Sequence, residues 1–323
     1  MPTPQRRINS GFGPRSTATE VLQGIDLSGR LAIVTGGYSG LGLETTHALS
    51  GAGARIVVPA RRRAYAEEVL DGLARVEVDE LDLGDLESVH AFAERMLDSA
   101  GSVDILINNA AIMACPETRV GPGWEAQFAT NHLGHFALAN LLWPALAADH
   151  GARVVALSST GHKISAIRFD DLQFETGYDK WQAYGQAKTA NSLFAVQLDE
   201  LGRHAGVRAF AAHPGGIMTP LQRHLDREEM IASGWMDEAG NVDERFKTPA
   251  QGASTPTWAA TSPALAGMGG VYCENCDIAN PTVAGSPSAR IEGVEAHAID
   301  ADAAARLWTV SAQLTGVNAF ATA

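Results

Sequence analysis

Short apolar runs alternate with longer amphipathic stretches from Leu31 onward. The apolar residues in these runs are consecutive, which is typical of strands that are buried on both faces. The stretches between them have the spacing of amphipathic helices, and several end on glycine. Strict alternation of strand and helix predicts an α/β fold with a doubly wound parallel sheet and helices on both sides. The predicted strands span residues 31–35, 55–60, 104–108, 153–159 and 207–213.

The pattern is weaker at both ends of the chain. Residues 1–28 are polar and rich in Gly, Pro and Ser, which indicates an N-terminal arm or a frayed tail, and residues 29–323 form one predicted domain. Residues 221–250 mix charged and apolar positions and form either a flap over a pocket or a surface helix. The flap is favoured because a doubly wound sheet needs a cover above its strand ends to enclose a ligand. Residues 267–279 indicate a last short strand followed by a surface tail.

Composition narrows the classes of function. The chain has 24 basic and 37 acidic residues, and the formal charge of -13 argues against a general surface for nucleic acid or anionic membrane. No run approaches about 18 apolar residues and the first residues lack the apolar core of a signal peptide, so we expect no membrane span and a cytoplasmic protein. Cys273 and Cys276 form one CxxC without a second pair of ligands, so we expect reduced thiols rather than a metal site.

A glycine-rich turn follows the first predicted strand. Gly36, Gly40 and Gly42 lie at a strand-to-helix junction, where the backbone of a dinucleotide site approaches the pyrophosphate closely and helix amides face it. An ordinary tight turn is the alternative. The position between a strand and a helix favours the dinucleotide site.

The end of the second predicted strand indicates which dinucleotide is bound. An NAD site usually has an acid there for the ribose hydroxyls, whereas this chain has Ala60 and then Arg61, which suits a 2′-phosphate. A solvated basic start to a helix is the alternative, but positive charge disfavours a helix N-terminus. NADP(H) is therefore the preferred cofactor and NAD(H) the second choice. Asp82, after the third strand, either accepts a hydrogen bond from the adenine amino group or caps the next helix.

Polar groups suited to chemistry follow the fourth and fifth strands and a later helix. Asn109, Ser158 and Ser159 lie at strand ends, at the sheet edge where such folds bind ligands. Tyr184 and Lys188 are four residues apart, so they share one face of a helix. A nearby ammonium would lower the pKa of the phenol and make Tyr184 a better proton donor and acceptor near neutral pH. The alternative is a half-buried ring beside a solvated charge.

In this order the motifs TGGYSGLG, NNAA, NHLGHF, SS, YGQAK and HPGGIMT resemble the short-chain dehydrogenase/reductase family over about residues 29–280. The residues of the segments CP, YGQAK and TPAQGA are similar to those of the branch that contains retinol dehydrogenases and the WW-domain oxidoreductases, although the sequence contains no WW domain. The resemblance implies a Rossmann-type fold and an active site of Asn131, Ser159, Tyr184 and Lys188. Ser159 is preferred to Ser158 because the family's serine is normally the second of this pair.

The resemblance also implies roles and a cofactor site. Ser159 would hold the substrate oxygen, Lys188 would bind the nicotinamide ribose, and Asn131 would hold a water that links the lysine to solvent. Tyr38 and Ala111 depart from the family pattern, in which Asn and Gly are commoner. The implied cofactor contacts are Gly36, Tyr38, Ser39, Gly40, Leu41, Gly42, Arg61, Asp82, Leu83, Asn109, Ala110, Tyr184, Lys188, Pro214, Gly216, Ile217 and Thr219.

These features predict an NADP(H)-dependent oxidoreductase that transfers a hydride between nicotinamide and a carbonyl or alcohol. Two alternatives stay open: a reductase of a conjugated double bond, and a non-catalytic NADP(H)-sensing module, against which the presence of both Tyr184 and Lys188 counts. Trp181, Met218 and His162 favour an apolar substrate, although core packing explains them equally well. The resemblance implies a homo-oligomer that packs through the helix bearing Tyr184.

Overall fold

The computed structural model describes residues 2–149 and 151–321. Its strands are β1 Leu31–Val34, β2 Arg55–Ala60, β3 Val76–Glu80, β4 Ile105–Asn108, β5 Arg119–Val120, β6 Trp124–Glu125, β7 Arg153–Leu157, β8 Arg208–His213, β9 Val271–Glu274 and β10 Asp277–Ile278. Eight of them form one sheet in the order β10-β9-β8-β7-β4-β1-β2-β3, and β5 and β6 form a separate hairpin. Neighbours in the large sheet are parallel except β9 and β10. The predicted α/β fold with a mostly parallel, Rossmann-type sheet is confirmed.

Helices cover both faces of this sheet. They are α1 Ala18–Val21, α2 Gly40–Gly51, α3 Arg63–Val69, α4 Leu86–Ser99, α5 Ala126–Phe128, α6 Gly134–Leu141, α7 Trp143–Leu146, α8 Lys180–Gly202, α9 Arg227–Ala232, α10 Pro249–Gly252, α11 Ser254–Thr261 and α12 Ala301–Thr315. α4, α6, α8 and α12 bury their apolar residues against one face, and α1, α2 and α11 against the other. Within the described ranges, no helix is long and apolar enough to cross a membrane.

The N-terminal segment packs on the sheet edge, which fits an arm better than a frayed tail. Gln5 Nε2 donates hydrogen bonds to the carbonyl oxygens of Tyr272 and Ala279, at 2.8 and 2.7 Å. The backbone amides of Ile8 and Asn9 donate to the carboxylate of Asp277, at 2.8 and 3.0 Å. A polar segment without an apolar pattern can thus be held through its backbone, which its composition does not reveal.

The expectation of a surface tail after residue 279 is wrong. The chain returns to the core as α12, where the ring of Trp308 stacks on Phe194 of α8 with centroids 5.9 Å apart. Every residue of α8 from Ala183 to Ala195 is buried inside this one chain. The homo-oligomer stays a prediction, and this stretch of α8 offers it no open face.

Residues 221–250 lie over the carboxyl ends of the central strands and include α9. The carboxylate of Glu229 on α9 accepts hydrogen bonds from Lys180 Nζ at 2.6 Å and from Trp181 Nε1 at 2.9 Å, at the start of α8. The ring of Trp235 meets that of Trp181 edge to face, with centroids 6.0 Å apart. This position fits the predicted flap over a pocket. That the 221–250 segment moves when a ligand binds remains a prediction.

Candidate active site

The site lies where the strand order reverses, between β1 and β4. In the sheet β1 lies between β2 and β4. The chain leaves β1 towards β2 and leaves β4 in the opposite direction, so the loops after these two strands diverge and leave a crevice at the carboxyl ends of β1 and β4. Thr35, directly after β1, joins the two loops: its Oγ1 accepts hydrogen bonds from the backbone amides of Asn109 and Ala110, at 2.9 and 3.0 Å. Asn109 Nδ2 returns a bond to the carbonyl oxygen of Thr35 at 2.8 Å. The side chain of Asn109 therefore holds the loops after β1 and β4 together, and both Asn109 and Ala110 line the crevice between them.

The glycine-rich turn fits a pyrophosphate. Gly36 and Gly40 have positive φ angles of 65° and 52°, which disfavour residues with a Cβ. A Cβ on Gly42 would collide with the carbonyl oxygen of Gly36, so α2 can approach the turn only with glycine there. Ser39 is the N-cap of α2 but its side chain makes no capping hydrogen bond, which leaves the first amides of the helix for an anion.

A single cavity of about 1370 Å³ extends from this turn across the strand ends. Two of the predicted site residues, Gly42 and Asn131, lie outside its lining and support it from behind. The predicted residues that line it are Gly36, Tyr38, Ser39, Gly40, Leu41, Arg61, Asp82, Leu83, Asn109, Ala110, Ser159, Tyr184, Lys188, Pro214, Gly216, Ile217 and Thr219.

The predicted adenosine end of the cavity, next to the end of β2, is basic and aromatic. Arg61 and Arg62 follow β2, and the guanidinium of Arg62 lies 4.6 Å from the centroid of the Tyr65 ring. The rings of Tyr38 and Tyr65 meet edge to face at 6.1 Å. Asp82 Oδ1 accepts a hydrogen bond from the backbone amide of Gly84 at 2.9 Å. Asp82 is not the cap of α4, because that cap is Asp85.

Tyr184 and Lys188 share one face of α8, as their spacing predicts. Lys188 Nζ donates a hydrogen bond to the carbonyl oxygen of Leu157 at 3.0 Å and lies 5.5 Å from the centroid of the Tyr184 ring. The turn after β7 approaches this face closely, since a Cβ on Gly161 would lie 2.8 Å from Cε1 of Tyr184. The phenol and the ammonium are therefore held at the cavity wall by packing.

Burial dominates the pKa of both groups. It raises the pKa of Tyr184 to about 12, although a hydrogen bond with Ser159 lowers it in part, and it lowers the pKa of Lys188 to about 7. The expectation that Lys188 lowers the phenol pKa is therefore wrong. In a dry site the loss of hydration disfavours each charged form more than a charge one helical turn away favours it.

The two serines after β7 have different environments. Ser158 is buried, donates a hydrogen bond to the carbonyl oxygen of Lys188 at 2.8 Å and accepts one from Ser192 Oγ at 2.9 Å. Ser159 Oγ accepts a hydrogen bond from the backbone amide of Gly161 at 3.0 Å and lines the cavity beside Tyr184. Its hydroxyl also shares a hydrogen bond with the phenol of Tyr184, so the two hydroxyls lie together at the cavity wall, where a ligand oxygen can meet both.

Asn131 lies in a π-helical turn, Ala129–Leu133, between α5 and α6. Its side chain is occupied on both sides by Ile112: Oδ1 accepts from the amide and Nδ2 donates to the carbonyl oxygen, each at 2.9 Å. Its backbone oxygen is 3.0 Å from Nδ1 of His135. The amide side chain therefore positions the loop after β4, and π-helical turns are frequent at functional sites.

Sequence reasoning missed three residues of the site. Thr35 joins the loops after β1 and β4, and His135 Nε2 lies 2.9 Å from Thr35 Oγ1. Arg223 lines the cavity from the segment after Thr219. The sequence could have indicated Thr35, because a threonine at the carboxyl end of a buried strand lies at the edge where ligands bind. The contacts of His135 and Arg223 are with distant parts of the chain, which the sequence does not show.

Aromatic side chains line the predicted substrate end of the cavity, next to Tyr184. Trp181, Trp235 and Phe246 are in the lining, with the rings of Trp235 and Phe246 5.9 Å apart. Met218 and His162 are not in the lining, so the expectation that they face the substrate is wrong. His162 instead bonds through Nδ1 to the carbonyl oxygen of Ser159 at 2.6 Å.

The comparisons with known proteins concern a family model, proteins of similar sequence and a solved structure. The model of the family described as short chain dehydrogenase matches residues 30–230. The "Probable oxidoreductase" of Streptomyces antibioticus is 46% identical over 294 residues, covering 88% of this chain and 97% of that protein. "Retinol dehydrogenase 14" of Homo sapiens is 34% identical, covering 90% and 88%. The crystal structure of an uncharacterised Mycobacterium paratuberculosis protein is 32% identical, has a TM-score of 0.71 and covers 94% and 98%.

Proposed function

Because the chain belongs to the short-chain dehydrogenase/reductase family and is an oxidoreductase, we propose that it transfers a hydride between NADP(H) and the carbonyl or alcohol of a largely apolar small molecule. In this proposal Tyr184 is the general acid and base. One observation carries it: the hydroxyls of Ser159 and Tyr184 line one cavity, with Lys188 beside them and a dinucleotide-type glycine turn at the other end.

The raised pKa of Tyr184 suits the reduction of a carbonyl. A phenol with a pKa of about 12 keeps its proton at neutral pH, and it can give that proton to the more basic oxygen that forms when a carbonyl accepts a hydride. Oxidation of an alcohol needs the phenolate, which burial disfavours. We therefore expect reduction to proceed over a broad pH range and oxidation to become faster as the pH rises.

The neighbouring residues have distinct parts in this proposal. Ser159 donates its hydroxyl to the substrate oxygen and so stabilises the charge that develops there. Lys188, held by the carbonyl oxygen of Leu157, lies next to the phenol and would bind the nicotinamide ribose. The nicotinamide, when bound, would supply or accept the hydride. Trp181, Trp235 and Phe246 exclude water from the substrate end, which supports an apolar substrate.

A substrate panel tests the proposal. Ketones, aldehydes and alcohols would be followed at the absorbance band of NADPH, with Tyr184→Phe beside the parent protein. Since the substitution deletes one oxygen and keeps the ring, NADPH affinity should survive and turnover should fall by about 10²- to 10⁴-fold. Tyr178→Phe is the control, because the Tyr178 hydroxyl bonds to the carbonyl oxygen of Cys115 outside the cavity.

Two results would contradict the proposal. A Tyr184→Phe protein that turns over at the parent rate would remove Tyr184 from the mechanism. Reduction of enones at the double bond, with saturated ketones left unchanged, would favour the reductase of conjugated double bonds instead.

A further inference from the structure

Five arginines line the cavity, and three of them, from two distant parts of the chain, lie close enough together to interact. Arg61 and Arg62 follow β2, whereas Arg223 follows the short 3-10 helix Pro220–Gln222 at the start of the 221–250 segment. Arg223 Nη1 donates a hydrogen bond to the carbonyl oxygen of Pro220 at 3.1 Å, which orients its guanidinium. The cavity thus has basic side chains at its adenosine end on two walls.

Carboxylates do not neutralise these arginines. Among the described residues none of the three forms an ion pair, and Arg62 has only the ring of Tyr65 as a partner. Asp82 also lines the cavity but uses one oxygen for the amide of Gly84. Burial, and then the charges of Arg61 and Arg62, lower the pKa of Arg223, as expected of like charges that lie close together.

Unpaired like charges at a cavity indicate an anionic ligand. The repulsion among three guanidinium groups destabilises the protein, although the chain has 37 acidic residues against 24 basic ones and so has no lack of acids to pair with them. Arginine is well suited to phosphate because its planar fork donates two parallel hydrogen bonds. A dinucleotide phosphate is the anion that the adjacent glycine turn also fits.

We propose that Arg223 binds a phosphate group of the dinucleotide, as the third member of a cluster with Arg61 and Arg62. The proposal rests on the NADP(H) preference proposed above. The 2′-phosphate is the expected group, because Arg61 and Arg62 follow β2 where that phosphate would lie. The pyrophosphate has the same chemistry, and the experiment distinguishes the two. Since Arg223 belongs to the 221–250 segment, this contact links the cofactor to the cover of the substrate end.

Binding measurements on four variants test the proposal. Dissociation constants for NADPH, NADH and 2′,5′-ADP would be measured for Arg61→Ala, Arg223→Ala, Arg223→Lys and Arg227→Ala, with thermal unfolding as a check on folding. Arg227 is the matched control, because it lies on the same segment, bonds to the carbonyl oxygen of Glu238 and is not in the cavity lining. Arg223→Ala should weaken NADPH and 2′,5′-ADP by about tenfold and leave NADH unchanged, and Arg223→Lys should restore part of the loss.

Each outcome has one meaning. Equal losses for NADPH and NADH, with 2′,5′-ADP little affected, assign Arg223 to the pyrophosphate. Unchanged constants for Arg223→Ala, with a loss for Arg61→Ala, overturn the role of Arg223 and leave the NADP(H) preference intact. A parent protein that prefers NADH overturns the NADP(H) preference itself, and an Arg61→Ala variant that binds NADPH normally overturns the role of Arg61.

Discussion

At the scale of single residues, the environment of a side chain decides its chemistry more than its type does. Ser158 and Ser159 are adjacent, chemically identical and both in the cavity lining, yet the Ser158 hydroxyl is bound to Lys188 and Ser192 whereas that of Ser159 lies beside the phenol of Tyr184. Lys188 is an ammonium by type, but burial brings its pKa to about 7. Of two neighbouring serines, Ser158 therefore stabilises the packing of α8, whereas Ser159 belongs to the candidate active site.

The lowered pKa of Lys188 predicts a pH-dependent stability. Between about 7 and its ordinary value of 10.5 the unfolded chain binds more protons at this lysine than the folded protein does, so its contribution to stability rises with pH in that window. Below about pH 7, the folded protein must bury the charged form of Lys188. Lys188→Met should therefore raise the melting temperature most at about pH 6, with a gain that shrinks towards pH 10.

The substitution leaves no acceptor without a partner, because Asn191 Nδ2 also donates to the carbonyl oxygen of Leu157 at 2.9 Å. Lys180→Met is the control, since it removes a lysine of the same helix that is paired with Glu229 at 2.6 Å. It should give no gain at pH 6. Melting temperatures of Lys188→Met below those of the parent protein at every pH would contradict the prediction.

At the scale of elements, α8 joins the chemistry to the cover of the substrate end. Tyr184 lies one turn beyond Lys180 and Trp181, and both of these bond to Glu229 on α9. The indole of Trp181 also meets the ring of Tyr184 edge to face at 6.3 Å. A change in the position of α9 would therefore reach the wall on which Tyr184 lies.

This connection predicts how the 221–250 segment responds to ligands and to mutation. Limited proteolysis within 221–250 should be slower when NADPH and a substrate are both present. Glu229→Ala should speed cleavage, because it removes both bonds to α8. Glu228→Ala is the matched control, an adjacent acid for which the structure records no bond. Equal rates with and without ligands, or equal effects of the two variants, would favour an inert surface helix.

At the scale of the whole molecule, the N-terminal arm is held by the last strand of the sheet, β10. Asp277 of β10 is 2% exposed, and its carboxylate accepts backbone hydrogen bonds from the N-terminal arm. Further along the arm, Arg15 donates to the carbonyl oxygens of Phe246 and Glu244, at 2.8 and 2.5 Å. The arm therefore connects the sheet edge with the cover of the cavity.

Removal of the Asp277 carboxylate should release this arm. Asp277→Ala leaves several amides of the arm without an acceptor, and each buried unsatisfied group costs about 1–3 kcal/mol. We expect a lower free energy of unfolding in urea and faster proteolysis before residue 20. Asp98→Ala, which removes an exposed acid of α4, is the control. An unchanged free energy of unfolding would show that the arm contributes nothing to the fold.

The sequence alone determined the features that depend on local pattern. Buried strands in alternation with helices specify the α/β sheet, because consecutive apolar residues need cover on both faces. The glycine turn after β1 and the pair Tyr184 and Lys188 follow from spacing along one strand, turn or helix. Arg61 belongs to the same class, since its place directly after β2 is read from the chain.

Only the tertiary structure decided what depends on distant segments. The arm is held by a carboxylate about 270 residues away, and α12 packs on α8 through Ala304, Leu307 and Trp308, so no local pattern gives the place of either segment. The sign of the Tyr184 pKa shift follows from how much water the fold excludes, which helical spacing does not report. Arg223 joins Arg61 at the cavity for the same reason: two charges separated by about half of the chain become neighbours only once the sheet has brought its strand ends together.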